Sequence, residues 1–156
     1  MKKVFITFSL LALTFLISGC GCSKKNLKTV TCKMEKEFDE YNYSAEIVII
    51  YDTDSNELIS IDEKETTMSS DSTFLNNVKK FDESEYSLYS DVNNTSYSIS
   101  LDNDKLIRKF YVDYSKVNTE KLLEMDSKQG VFFDENNKTN INNALDYYNE
   151  NGNECK

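Results

Sequence analysis

The hydrophobic positions of the chain follow two rhythms, and the points where one gives way to the other predict its elements. From Thr29 the period is two: Val30, Cys32, Met34 and Phe38 fall on one face of a strand. After a polar break at 39–43, Ala45, Ile47, Ile49 and Tyr51 alternate again. Val48 and Ile50 make the other face apolar as well, which predicts an interior strand. Asp52-Thr53-Asp54-Ser55-Asn56 is turn chemistry, and the chain returns through Leu58, Ile59 and Ile61 as a third strand that becomes polar towards Thr67.

The period then lengthens. Phe74, Leu75, Val78 and Phe81 stand at helical spacing behind the N-cap oxygens of Ser70-Asp71-Ser72, which predicts a helix over 71–84. Tyr86, Leu88 and Tyr89 belong either to its tail or to a short extended piece. Beyond Asn93-Asn94, two alternating runs flank the turn Asp102-Asn103-Asp104: Tyr97, Ile99 and Leu101 before it, then Leu106, Arg108, Phe110, Val112 and Tyr114. That is a second hairpin. Asn118 can cap a short helix carrying Leu122, Leu123 and Met125. Residues 126–138 read as loop, interrupted by Val131-Phe132-Phe133, which are too apolar to leave in water. A last helix starts near Asn140 with Ile141, Ala144, Leu145 and Tyr148 on one face, and Gly152 ends it. The order β-β-β-α-β-β-α-α predicts an α+β fold, an antiparallel sheet of about five strands covered by helices.

The N-terminus follows neither rhythm. Lys2 and Lys3 precede an uncharged apolar run over residues 4–17, of signal-peptide length and short of the roughly 20 residues needed to span a bilayer. Ile17-Ser18-Gly19-Cys20 follows, small residues and then a cysteine. This looks like the lipobox of bacterial lipoproteins, which implies cleavage after Gly19 and a diacylglycerol on Cys20. The expected organisation is a lipoprotein signal peptide over 1–19, a lipidated tether over 20–28 and a single α+β domain over 29–156. The expected location is the outer, extracytoplasmic face of the cell membrane, reached through the lipid anchor. Two acyl chains hold a protein there stably.

Loss of the leader leaves 16 basic against 27 acidic side chains, a balance of −11. An acidic surface repels phosphate backbones, so nucleic acid is not an expected partner. Lys24, Lys25, Lys28, Lys33 and Lys36 crowd the anchored end, where anionic headgroups attract them. The chain has no histidine, which removes the usual general base near neutral pH and the commonest metal ligand. Of four cysteines, Cys20 is assigned to lipid and Cys22 to the tether. Cys32 and Cys155 remain, near the two ends of the domain and in an oxidising compartment, and are expected to form a disulfide; the alternative is two separate thiols.

In layout the whole chain resembles the YehR-like small bacterial lipoproteins. The likeness lies in the lipobox, the three-strand start, the helix near 71–84 and a strand ending Phe110-Tyr111-Val112-Asp113-Tyr114-Ser115-Lys116-Val117, followed by a short and a final helix. It implies an α+β lipoprotein and assigns no catalytic residue.

Three constellations bear on chemistry. Asp52, Asp54, Asn56, Leu58, Ser60 and Glu63 stand at the ligand spacing of a calcium loop, but Glu57 replaces the glycine of its sharp turn and the flanks read as strands. An acidic hairpin is the better reading. Asp62, Glu63 and Glu65 could act as paired carboxylates, but lie on a polar stretch and read as a solvated strand face. Tyr41, Tyr43, Tyr86, Tyr89, Tyr97, Tyr147 and Tyr148 could line a binding surface, but read mostly as half-buried structural residues. The expectation is therefore a non-enzymatic module that binds an envelope protein or peptide, with no cofactor, no catalytic residue and no metal site. The alternatives are a carboxylate- or tyrosine-based enzyme, or a cation-binding protein using the Asp52–Glu63 turn.

Overall fold

A computed structural model describes residues 25–156; the segment 1–19 expected to be a signal peptide, Cys20 and Cys22 lie outside the described residues. Six strands form one antiparallel sheet: β1 (Leu27–Glu37), β2 (Asn42–Asp52), β3 (Leu58–Met68), β4 (Thr95–Asp102), β5 (Lys105–Asp113) and the two-residue β6 (Glu154–Cys155), in the order β4-β5-β3-β2-β1-β6. The helices are α1 (Ser72–Tyr86), α2 (Thr119–Met125) and α3 (Ile141–Glu150), with 3₁₀ turns at Ser87–Asp91 and Ser127–Phe132. The fold is α+β. Among the described residues no helix is long and apolar enough to cross a membrane.

β1 starts inside the segment assigned to the tether. Leu27 and Lys28 pair with Asp52 and Tyr51, because Asn26 already engages the β2–β3 turn through its carbonyl and through Asp54. The far end of the strand stops short of the expectation: β1 ends at Glu37, and Phe38 stacks on Tyr41 in the following turn. Tyr86 closes α1, and Leu88 and Tyr89 lie in the 3₁₀ turn behind it. The segment 126–138 is half ordered by the second 3₁₀ turn, which buries Phe132 and leaves Val131 outside.

The caps explain why the helices begin where they do. The Asp71 carboxylate accepts from the backbone N–H groups of Thr73 and Phe74, Asn118 does so for Lys121, and Asn140 for Asn142. The chain has four glycines and no proline. Asparagine takes over at Asn56, Asn94, Asn103 and Asn137, each in the left-handed region it tolerates best after glycine. Gly152, at φ +90°, ends α3.

Register fixes which side chains share a face. Cys32, Ile47, Glu63, Phe110 and Tyr97 form one row across the sheet, and Met34, Ala45, Glu65, Arg108 and Ile99 the next. An irregularity opposite Ile50–Tyr51 leaves Ile59 as an extra residue, which brings Leu58 back to the face of Ile61. Tyr148, Ala144 and Ile141 of α3 cover one end of this face, over Cys32, Ala45, Ile47, Ile49 and Ile61. At the other end, α2 and the Ser87–Asp91 turn bring Leu122, Tyr89 and Val92 onto Phe110 and Val112. Leu75 of α1 and Leu106 of β5 are fully buried, and α1 lies over β4 and β5. Two apolar cores thus flank the middle of the sheet, and neither fills it.

Cys32 of β1 and Cys155 of β6 stand directly opposite each other and are joined by a disulfide, with Cα atoms 3.9 Å apart. The Lys156 and Thr31 backbones exchange two hydrogen bonds beside it.

Candidate functional site

Strand β3 is apolar up to Ile61 and then continues in the same phase with Glu63, Glu65 and Thr67. Alternation therefore directs both glutamates to the helix-covered face, while Asp62 and Lys64 point to the open one. The reading of Asp62, Glu63 and Glu65 as a solvated strand face holds for Asp62 and is overturned for the other two. What sequence spacing could not supply is α3, which starts 78 residues after Glu63 and lays Tyr148 across it.

Arg108, the single arginine of the chain, answers this pair from β5. Its Nη1 donates to Asp82 Oδ2 at 3.2 Å and its Nη2 to Thr67 Oγ1 at 3.0 Å. Its Nε faces Glu65 Oε2 across 3.1 Å, an ionic contact in which the N–H is not aimed at the oxygen. Its guanidinium also sits over the Tyr43 ring, 5.9 Å from the centroid. Asp82 is what turns α1. The apolar spacing predicted Phe81 facing inward, whereas the inner face of α1 carries Leu75, Asp82 and Tyr86, and Phe81 is 65 % exposed. A charge-assisted bond to a half-buried arginine outweighs the burial of one ring.

Tyrosines hold the remaining carboxylates. Tyr43 Oη donates to Glu65 Oε1 at 2.6 Å, Tyr148 Oη donates to Glu63 Oε1, and Tyr89 Oη donates to Asp126 Oδ2 at 2.5 Å. Asp126 also accepts from Gln129 Nε2 at 3.3 Å, and Gln129 in turn accepts from Tyr114 at 2.5 Å. Of the tyrosines singled out from sequence, Tyr43, Tyr86, Tyr89, Tyr147 and Tyr148 converge here. Tyr41 borders the far end on the Phe38 side, and Tyr97 lies behind Tyr86, stacked at 4.3 Å.

The result is a groove across the covered face, between α1 and α3. It has two lobes, of about 440 Å³ and about 430 Å³, which share Glu63, Glu65 and Tyr147 as common floor. Phe81, Leu88, Met125 and Phe132 line the first lobe, and Phe38, Tyr41, Tyr43 and Ala45 the second. A further depression of about 450 Å³, at the β1–β6 edge, is bounded largely by exposed chain and takes in no buried polar side chain.

Electrostatics single out Glu63. Burial raises its carboxyl pKa to about 7, the Tyr148 hydrogen bond lowers it only in part, and the charges of Glu65 and Asp126 raise it further. Asp82 is also raised, because burial outweighs Arg108. Burial first, and then the Glu63 charge, hold Tyr148 far above the ordinary phenol value, so it stays a proton donor. A carboxyl raised on folding binds its proton more tightly in the native state. The Glu63 contribution to stability is therefore intact below about pH 4.5 and is lost as pH rises towards 7. Relative to wild type, Glu63→Gln should unfold at equal denaturant concentration at pH 4.5. At pH 8 it should be more stable by about 2–3 kcal/mol, at 1.36 kcal/mol per pKa unit and allowing for the solvent at the groove. Parallel urea curves at both pH values would deny the raised carboxyl.

The Asp52–Glu63 segment is a hairpin: Leu58–Glu63 run extended in β3, with Ser60 and Glu63 on opposite faces. Among the described residues, no three Cys, Asp or Glu side chains converge as a metal-ligand set.

No family model matches the chain, and no curated protein does. Its fold is similar to that of an NMR structure of a protein from Streptococcus pneumoniae TIGR4, with a TM-score of 0.55 and 12 % identity, covering 99 % of this chain and 100 % of the other. At that identity the likeness is one of fold.

Proposed function

We propose that the protein is a lipid-anchored module on the outer face of the cell membrane that works by contact, with its ligand seated in the groove between α1 and α3. The groove carries the reading: a concave site with aromatic walls and a few fixed polar groups on a rigid sheet is the form binding sites take. The anchor belongs to the same proposal. It rests on the lipobox at Ile17–Cys20 and on the layout resemblance to YehR-like lipoproteins. A membrane-held domain meets surface partners at a raised effective concentration, so a modest groove affinity suffices.

A photoreactive residue at the groove rim, in place of Phe81, should crosslink a specific envelope component in intact cells. The same residue in place of Lys109, on the open face of the sheet, should not. Cys20→Ser should shift the protein out of the membrane fraction, or stall its maturation, and weaken the crosslink. Equal products from Phe81 and Lys109 would remove the groove from the proposal, and unchanged fractionation of Cys20→Ser would remove the anchor.

One observation favours a second reading. A carboxyl near pH 7 beside a tyrosine donor suits general acid–base chemistry, with Glu63 as the proton carrier and Tyr148 orienting it. Turnover of a small molecule that is abolished in Glu63→Gln would decide for it.

A further inference from the structure

Among the described residues, the ion pairs satisfy Glu65 and Asp82 through Arg108, while Glu63 has no cationic partner. One of its oxygens accepts from Tyr148, and none of the described residues donates to the other. Glu63 lines both lobes of the groove. In the groove lining, the rings of Phe132, Tyr147 and Tyr148 pack with centroids 5.3–5.9 Å apart, two pairs edge-on and one stacked. A carboxylate without a cationic partner, in a groove with aromatic walls, suits an ammonium or guanidinium group. It does not suit a metal ion, which needs several converging oxygens.

The shape of the groove says what carries the cation. Glu63 lies at the junction of two lobes, so an occupant centred on it extends both ways. Phe81 and Leu88 stand exposed at one end and Phe38 at the other, apolar surface that a small hydrophilic polyamine would leave uncovered. We propose that the groove binds an extended peptide segment that presents one lysine or arginine side chain to Glu63, with apolar side chains on either side of it in the two lobes. This rests on the groove being the ligand site. The raised carboxyl pKa fits it, since a cation arriving at Glu63 supplies the charge compensation that the fold lacks.

The test uses the full chain in detergent micelles, titrated by NMR with pools of blocked pentapeptides. Four flanking positions are randomised over apolar residues, and the centre is fixed as Lys, Arg, norleucine or Glu. The Lys and Arg pools should shift amides along the groove and bind at least roughly tenfold more tightly than the norleucine pool, the scale of one charge-assisted contact. Glu63→Gln should abolish that advantage and leave norleucine binding unchanged. A norleucine pool that binds in the groove as well as the Lys pool would overturn the cationic ligand and leave the groove reading standing. Spermidine that displaces the Lys pool at equal concentration would assign the site to a free polyamine and overturn the peptide. No groove shift with any pool would overturn the groove reading and this inference with it.

Discussion

Cys155→Ser is expected to lower the unfolding free energy by about 4–5 kcal/mol, a large share of the 5–15 kcal/mol typical of a single domain. The bond closes a loop with a sequence separation of 123, so its loss returns a long stretch of chain to the unfolded ensemble. Locally the bridge also fastens β6 to the sheet. β6 pairs with β1 at only two positions, and beside them stand the two Thr31–Lys156 backbone bonds. A strand that short has little stability of its own. Urea unfolding of Cys155→Ser, and of wild type under reductant, should give matching losses. A loss below about 1 kcal/mol in both would mean that the ring closure is not felt, as happens where the unfolded chain keeps structure.

Arg108→Met should cost about 2–4 kcal/mol, because it leaves the half-buried Glu65 and the buried Asp82 at the groove without their shared cation. Asp82 is 5 % exposed and already held above the ordinary carboxylate range, so without Arg108 it takes up a proton more readily still. The loss should therefore be smaller at pH 5 than at pH 8, where keeping Asp82 charged costs most. The triple variant Arg108→Met, Glu65→Gln, Asp82→Asn removes the charges together and should recover a large part of the loss. If it proves no more stable than Arg108→Met alone, the damage lies in packing around Tyr43 and Thr67, and the charge argument fails.

Arg108 also shows what the chain discloses to a reader and what it keeps back. The β2–β3 and β4–β5 hairpins, the three helices and the caps of the first two follow from local spacing, since alternation and helical period are properties of ten residues at a time. The identity of the covered face does not. Glu63 and Glu65 look solvated in a polar run, and become floor only because Tyr148 and Tyr147 arrive from α3. The sign was nevertheless there: Leu106, Arg108, Phe110 and Val112 share one face, and an arginine on an apolar face requires a buried carboxylate opposite. Phe81 misled for the same reason, because apolar spacing on α1 carries no knowledge of the arginine beneath Asp82. β6 is two residues long, too brief for any period to reveal.

The pairing of the first strand with the last residues also sets a timetable. Synthesis runs from the N-terminus, so β1 and β2 can form their hairpin early, while the middle of β1's outer edge stays open. Its cover, Glu154–Lys156, is made only after every other described strand and helix. Until it arrives, the backbone groups of Thr31–Lys33 are available to any passing strand, the exposure that makes nascent sheets prone to mispairing. A chain that stopped before Glu154 would keep every described helix and five of the six described strands, and would never close that edge.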